Sequence, residues 1–267
     1  MGEWKSMAAP LSFEQFKEWL VERVPTEPLQ SARTRYDSSI NQALLSANNS
    51  TLWQKFVAHM RELGDEYYVA SDGFVLFTTV DPPKWVGKTF DSVLDKAYRK
   101  NVLLNQSWPA APKGGWIDQQ TLYGTVNDLV RTTIVVKYLD GVQFVADEIG
   151  RLCDSEGLAH RVDFEAREEG YYAAHVYVTM PVVIPEPNWS TSTVDISHEI
   201  QITTQLQDSI RKLTHEGYAS RRSVAPDSDA KWQWDHKHSD FIPNYLGHIL
   251  HYVEGMIMEI RDRRGSK

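Results

Sequence analysis

The sequence predicts an α/β (α+β) fold, with a mixed, mainly central β-sheet flanked by helices. Apolar, β-branched runs of strand length occur from about residue 128 to residue 203, and amphipathic segments of helical length separate or flank them. The predicted order in that region is β-α-β-β-β-α, and several helices precede it. This order is typical of chains whose helices pack on a mixed sheet.

The N-terminal part of the chain is predicted to be mainly helical. Ser12 is suited to cap the first helix, and Pro25 and Pro28 follow its end. Two short apolar runs on either side of Ser71-Asp72-Gly73 predict a hairpin. The predicted helices span residues 12–22, 31–45 and 52–63, and the predicted hairpin strands span residues 67–70 and 74–77.

The rest of the chain begins with a long irregular segment. Residues 101–124 are rich in Trp, Pro and Gly, so they are predicted to form a loop. Strands are predicted after Asp128 and over residues 160–164, 171–179 and 199–203, and helices over 141–153, 205–217 and 242–263. We divide the chain into an N-terminal helical region with the hairpin (1–80), a core (81–219), and a linker with a C-terminal amphipathic helix (220–267).

The composition is that of an ordinary globular protein. Of 267 residues, 42% are hydrophobic and 24% are charged, which is enough to form a sizeable core. The net charge of -8 gives no indication of a general nucleic-acid binder or a membrane-surface protein. A single cysteine, Cys153, excludes an internal disulfide and a Cys-rich zinc site. Because no signal region and no membrane-length apolar stretch is present, we expect a cytoplasmic protein without membrane contact.

Two acidic residues stand at the ends of predicted buried strands. Asp128 precedes an apolar run that ends at Val136, and Glu199 begins the run that continues to Ile202. An acid in this position is either a cap held in water or a charge directed into a site. If the two strands lie side by side, the carboxylates can hold a hard metal ion such as Mg²⁺, which prefers oxygen ligands.

A group of cationic and hydroxyl side chains shares one face of a predicted helix. Ser92, Lys96 and Arg99 are spaced three or four residues apart, and Lys88 precedes them near the helix N-terminus. Free backbone N–H groups at that terminus favour anions. The pattern is therefore that of a phosphate-binding site, with a solvated basic face as the alternative.

Several ordered motifs resemble one known family. Lys88, Ser92 and Lys96 form a Lys-x-x-x-Ser-x-x-x-Lys stretch, and Asp128 heads the following strand. Arg167 then precedes a Gly-Tyr-x-x-x-His motif formed by Gly170, Tyr171 and His175, and Glu199-Ile200-Gln201-Ile202 follows. In this order the motifs resemble the synthetase domain of RelA/SpoT-type alarmone synthetases. The resemblance covers about residues 84–216 and includes His215 in the last core helix.

The resemblance implies a nucleotidyltransferase-like synthetase fold and a pyrophosphokinase, either a stand-alone small synthetase or a member of the toxin branch. Such an enzyme transfers pyrophosphate from ATP to the 3′-hydroxyl of GDP or GTP, giving (p)ppGpp and AMP. Asp128 and Glu199 would hold Mg²⁺, and Glu199 would also accept the proton of the attacking hydroxyl. Lys88, Ser92, Lys96 and Arg99 would bind the ATP phosphates. Arg167, Tyr171 and His175 would bind the acceptor, with Tyr171 stacking on its base.

The sequence departs from the family pattern around the donor base. The family places an arginine on each side of the adenine, and this chain has Val86 and Thr133 at those positions. Thr203 replaces a further arginine after Ile202. Arg131 lies two residues before Thr133, so it shares a strand face with it and could supply a guanidinium from a shifted position. We therefore expect an altered donor site.

Three functions follow from these motifs. The first is the guanosine pyrophosphokinase described above. The second is a toxin-type enzyme acting on an adenine nucleotide or the tRNA 3′ end, although the acidic net charge disfavours a large tRNA contact. The third is a catalytically degenerate nucleotide-binding regulator. The last amphipathic helix packs on the domain or on a second subunit, so a homo-oligomer or an antitoxin partner stays open.

Overall fold

The computed structural model describes residues 12–23, 28–188, 190–221 and 232–265. Its centre is a five-stranded sheet with the order β1-β2-β5-β4-β3, in which β2 and β5 are parallel and the other neighbours are antiparallel. This mixed sheet, flanked by helices, confirms the predicted fold class. The strands are β1 (Val86–Gly87), β2 (Val130–Val136), β3 (His160–Ala166), β4 (Tyr172–Pro185) and β5 (Thr191–Thr204). The helices are α1 (Phe13–Arg23), α2 (Leu29–Asn49), α3 (Thr51–Ala70), α4 (Phe90–Tyr98), α5 (Leu122–Thr125), α6 (Leu139–Ser155), α7 (Gln205–Arg221) and α8 (Phe241–Gly265).

The two faces of the sheet differ in chemistry. One face carries fully buried apolar side chains, such as those of Ile134, Ile200 and Val176, and packs against α2 and α6. Because side chains alternate along a strand, the residues between them point to the other face. That second face is polar, and it is the surface on which the candidate site is built.

The predicted hairpin around Ser71-Asp72-Gly73 is wrong, because neither of its two strands forms. Residues 67–70 form the last turn of α3, which begins at Thr51 and is capped by Ser50. The helix continues because Met60, Leu63 and Tyr67 keep the helical spacing of the buried face. On the far side of the turn, Phe77 makes an isolated bridge to Val136 in β2.

The predicted loop over residues 101–124 is also less irregular than expected. A π-helical turn over residues 99–103 continues α4 into this segment, and the short helix α5 ends it. Strands β4 and β5 form a hairpin much longer than the runs that predicted them. The predicted linker lies outside the described residues from residue 222 to residue 231. Within the described parts of the chain, no helix has both the length and the apolar character needed to cross a membrane.

Helix α8 packs closely against the turn that leads into β4. Gly170, at the end of this turn, has a φ of +75°, which favours glycine. A Cβ atom on Gly170 would lie 2.3 Å from the carbonyl oxygen of Asn244 in α8. A Cβ atom on Gly247 would lie 2.2 Å from the carbonyl oxygen of Gly170. Two glycines therefore let the turn and the helix touch through their backbones.

We expect Gly247→Ala to lower the free energy of unfolding by about 1–3 kcal/mol, because the added methyl group must separate α8 from the turn. The matched control is Gly255→Ala in the same helix, where a Cβ atom meets nothing within 4 Å. That substitution should stabilise the protein by about 0.5–1 kcal/mol through helix propensity. Urea denaturation measures both values, and equal effects of the two substitutions would contradict the close contact.

Candidate active site

The start of α4 brings two lysines to one carboxylate. The Thr89 side chain caps the helix by accepting a hydrogen bond from the Ser92 backbone N–H. The Lys88 backbone N–H donates to the carbonyl of Leu129, which fixes the start of α4 beside the start of β2. As a result, Lys88 Nζ lies 2.9 Å from Asp128 Oδ2 and Lys96 Nζ lies 2.6 Å from Asp128 Oδ1.

The charges in this cluster change one another's pKa values. Burial by itself raises the pKa of Asp128, but the ammonium groups of Lys96 and Lys88 outweigh it and hold the pKa well below the ordinary carboxyl value. Burial lowers the pKa of Lys88, with Asp128 opposing this effect and Lys96 adding to it. The cluster has more positive than negative charge in a half-buried place, which is the arrangement that attracts a further anion.

Ser92 and Arg99 are not held at Asp128. Ser92 is exposed, and its hydroxyl accepts a hydrogen bond of 2.8 Å from Thr89 Oγ1. Arg99 Nε donates to Asp95 at 3.1 Å, one helical turn earlier. The π-helical turn instead brings Lys100 towards the cluster, since burial and then Lys96 lower the Lys100 pKa while Asp128 raises it. Lys100 is the alternative cation that the helical spacing also allows.

The second acid, Glu199, lies on the polar face of the sheet and joins a chain of hydrogen bonds. His175 Nδ1 lies 2.5 Å from Glu199 Oε1, and Tyr171 Oη lies 3.0 Å from His175 Nε2. The side chain of Tyr177 is 3.4 Å from the same oxygen of Glu199. Glu199 is 4% exposed, and its other oxygen, Oε2, has no hydrogen-bond partner among the described residues. A buried carboxylate oxygen without a partner is costly, so this atom requires a donor or a cation that the described residues do not supply.

A tight turn presents Arg167 and Tyr171 beside this chain. The Arg167 N–H donates to the Tyr171 carbonyl at 3.0 Å, and the Gly170 N–H donates to the Arg167 carbonyl at 2.9 Å. The Arg167 guanidinium lies 5.2 Å from the centre of the Tyr171 ring and also pairs with Glu165 at 2.5 Å. Burial, and then the charges of Glu199 and Glu165, raise the pKa of Tyr171 to about 12, so its hydroxyl stays protonated at neutral pH.

Val86 and Thr133, the two positions expected to flank the donor base, lie on β1 and β2, at the edge of the sheet away from β3. Val86 in β1 is the register partner of Arg131 in β2, and Arg131 is in turn the partner of Glu199 in β5. Val86 is 55% exposed. The Thr133 hydroxyl donates to Gln201 Oε1 at 3.4 Å, so this side chain bonds to the neighbouring strand β5. Arg131 is thus the strand neighbour of Val86, one of the positions where an arginine was expected.

The two acids can be tested for their fit to Mg²⁺. Asp128 lies in the turn before β2, three residues ahead of the register partner of Glu199, so the two Cα atoms differ by roughly 10 Å along the strand direction. No group of three or more His, Cys, Asp or Glu residues that could hold a metal occurs among the described residues. Mg²⁺ needs only one or two carboxylates when phosphate oxygens and waters complete its coordination. The acids fit an ion that arrives with a phosphate chain, and the unpartnered Glu199 oxygen is the clearest ligand.

Three polar residues of this face were missed in the sequence. Tyr177 and Gln201 flank His175 and Glu199 in the register, and Glu165 faces Arg167 from β3. A strand period of two, counted from His175 and from Glu199, could have found Tyr177 and Gln201. Glu165 could not be found, because its proximity depends on the pairing of β3 with β4. His215 lies in α7, in a part where the side chains are outside the described structure.

We expect Asp128→Asn to lower the free energy of unfolding by about 2 kcal/mol at pH 7, because two half-buried lysines lose their partner. The folded-state pKa of Asp128 lies below its unfolded value, so this stabilisation is present above about pH 4 and is lost as the pH falls further. Urea denaturation between pH 7 and pH 2 should therefore show the two proteins converging in acid. The exposed Asp65→Asn in α3 is the control, and a difference independent of pH would contradict the assignment.

Comparisons with known proteins agree with this geometry at the level of the fold. No protein-family model matches the chain, and no curated protein matches its sequence. Among solved structures, the small alarmone synthetase 1 of Bacillus subtilis bound to its product pppGpp is similar over 86% of this chain and 96% of its own, with a TM-score of 0.53 and 16% identity. A GTP pyrophosphokinase family protein from Streptococcus pneumoniae covers 86% of this chain and 91% of its own, with a TM-score of 0.47 and 18% identity. The chain therefore has the fold of the RelA/SpoT-type alarmone synthetase domain that its motifs resemble.

Proposed function

We propose that the protein transfers pyrophosphate from ATP to the 3′-hydroxyl of GDP or GTP, giving AMP and (p)ppGpp. The observation that carries this proposal is the presence of two different sites on one end of one sheet. A cationic cluster at the start of α4 suits a donor triphosphate. A hydrogen-bonded acid and a tyrosine turn on the polar face suit an acceptor hydroxyl and its base. The B. subtilis protein of the same fold holds pppGpp, which supports a guanosine acceptor.

The donor phosphates bind where Asp128 now neutralises Lys88 and Lys96. The two ammonium groups meet at that place, and the N-terminus of α4, which carries the Ser92 hydroxyl, begins beside it. Phosphate oxygens compete with Asp128 for the lysines, because a triphosphate carries more charge than one carboxylate. Lys100 adds a further cation, and Arg99 takes part after leaving its pair with Asp95.

The release of Asp128 from the lysines prepares it for a second role. Its two oxygens would then be free to hold Mg²⁺, with Glu199 as the second acid beside the ion. Mg²⁺, when bound, would neutralise charge on the donor phosphates during transfer. On this reading the lysine pairs keep Asp128 ionised and positioned before the substrate arrives.

The acceptor hydroxyl loses its proton to Glu199. His175 occupies Oε1 of this carboxylate at 2.5 Å, so Oε2 is the atom left to accept the proton. Tyr171 orients His175 through its hydroxyl, and its ring stacks on the acceptor base. Arg167, which already covers the Tyr171 ring, binds an acceptor phosphate. Transfer then depends on holding the two substrates in line more than on covalent help from the protein.

The donor adenine stacks on Arg131. Arg131 lies between Val86 and Glu199 in the strand register. With Val86 at the usual place of one arginine and Thr133 at the other, a single cation replaces two. The donor base is therefore held on one face only, which predicts weaker binding of ATP.

We expect Asp128→Asn and Glu199→Gln each to reduce transfer at least about 100-fold, since each removes a metal ligand and Glu199→Gln also removes the base. The assay follows AMP release and label from γ-labelled ATP with Mg²⁺ and, separately, GDP, GTP, ATP and tRNA. Asp195→Asn, an exposed acid four residues before Glu199, is the matched control.

Other outcomes of this assay decide between the alternatives. Label on ATP or tRNA alone would replace the guanosine acceptor with a toxin-type reaction. No transfer to any acceptor, with ATP binding intact, would refute the enzyme and leave a nucleotide-binding regulator. Full activity in either acid variant would refute the assigned metal site.

We expect Val86→Arg to lower the KM for ATP about threefold, because it restores a second cation beside the adenine. Arg131→Ala should raise the same KM about tenfold, since the remaining cation is lost. Val183→Arg, at a valine equally exposed on β4, is the control for added charge. Steady-state kinetics with ATP varied measures each KM. Equal KM values for Val86→Arg and Val183→Arg would contradict the proposed adenine contact.

A further inference from the structure

A cavity lies between α8 and one end of the sheet. It has a volume of about 280 Å³. It is bounded by the first turns of α6, the end of β3, the start of β4, the end of β5, and α8. Its walls include Leu139, Val142, Phe164, Tyr172 and Glu254. Because Tyr172 and His175 are an odd number of residues apart on β4, they point to opposite faces of the sheet. Tyr172 therefore lines the cavity from the face opposite to His175, while Glu165, the partner of Arg167, lies at the border between the cavity and the candidate active site.

One acidic side chain of this cavity is unexplained by the fold. Glu254 is 4% exposed, and neither of its oxygens has a hydrogen bond of normal geometry among the described residues. Thr204 and His251 are polar neighbours of Glu254, with His251 Nδ1 at 3.7 Å from Oε2. Burial raises the pKa of Glu254, and Thr204 opposes this effect in part. A buried carboxyl is costly unless a donor satisfies it, so the cavity lacks a partner for this group.

The aromatic groups of the cavity suit a flat ligand. The rings of Tyr172 and His251 are stacked, with centroids 3.7 Å apart and an angle of 5° between their planes. The Tyr172 hydroxyl is held 2.9 Å from His248 Nδ1, which fixes the ring of Tyr172. His251 Nδ1 is buried and has no hydrogen-bond partner among the described residues. The cavity thus combines rigid aromatic and apolar walls with one acid.

We propose that this cavity binds a small planar aromatic ligand with two neighbouring N–H donors, which pair with the two oxygens of Glu254. Two parallel N–H···O bonds are the geometry in which a carboxylate is best recognised, as amidines and guanidines do. The ring of the ligand lies between the aliphatic wall of α6 and the aromatic residues Phe164 of β3 and Tyr172 of β4. A cavity of 280 Å³ has room for one such group.

An occupant of this cavity also touches the acceptor side of the molecule. Tyr172 directly follows Tyr171, and the turn before both residues rests on α8 through Gly170 and Gly247. Glu254 and His251 belong to the same helix. The ligand would therefore bind to the two elements that position the acceptor-binding turn, without entering the candidate active site.

The test uses benzamidine as the probe and benzamide as its matched neutral analogue, because benzamide presents a carbonyl oxygen in place of one N–H group. Isothermal titration calorimetry and the concentration dependence of Tm should show binding of benzamidine to the full chain and much weaker binding of benzamide. Glu254→Gln should weaken benzamidine binding roughly tenfold or more. Glu259→Gln, at an exposed acid of the same helix, should leave it unchanged.

The measurement is independent of catalysis, so it stands apart from the proposed pyrophosphate transfer. Glu254→Gln preserves the shape of the side chain and removes a buried charge, so the variant is expected to fold, as circular dichroism would verify. Equal affinity of benzamidine for the original chain and for Glu254→Gln would overturn the proposal. Failure of the original chain to bind benzamidine, or equal binding of benzamide, would overturn it as well.

Discussion

The arrangement in which Lys88 and Lys96 hold Asp128 determines much of the structure around the site. It joins the start of α4 to the start of β2, and a backbone hydrogen bond from Lys88 to Leu129 strengthens the same junction. The two lysines also keep the carboxyl ionised in a half-buried place where burial alone would favour its protonated form. A cluster of two lysines and one aspartate is stable without substrate and keeps a net positive charge that can attract an anion. This is why a structural ion-pair cluster can coincide with the proposed phosphate site.

The sheet supplies the second constraint. The parallel pairing of β2 with β5 places Arg131 beside Glu199, and the antiparallel pairing of β5 with β4 places Tyr177 beside the same residue. The strand register therefore sets the spacing among Arg131, Glu199 and His175. Helix α8 acts on this array from outside, because it fixes the turn that carries Arg167 and Tyr171. The proposed acceptor turn thus packs on a helix more than 70 residues away in the sequence, as Gly170 and Gly247 show.

Much of the site was visible in the sequence because its residues occur in short motifs. Lys96 was expected on a helix face and Lys88 just before the N-terminus of that helix, and the structure brings both to Asp128. The spacing of Tyr171 and His175 predicted a shared strand face, and their hydrogen bond agrees with it. The roles assigned to these residues remain predictions. Arg99 and Ser92 do not contact Asp128 as Lys88 and Lys96 do. Their side chains bond to local partners, Asp95 for Arg99 and Thr89 for Ser92. Such local competition leaves no mark in residue spacing.

The sequence by itself determined the fold class, the order of most elements and the residues that form the cationic and acidic groups. Apolar periodicity is a local property, so it is readable along the chain. The tertiary structure decided what depends on contacts between distant segments. It extended α3 through the predicted hairpin, placed Arg131 beside Val86, and left Oε2 of Glu199 and the carboxyl of Glu254 buried without normal hydrogen bonds among the described residues. Burial and strand register arise only when the whole chain packs, and for that reason no motif could show them.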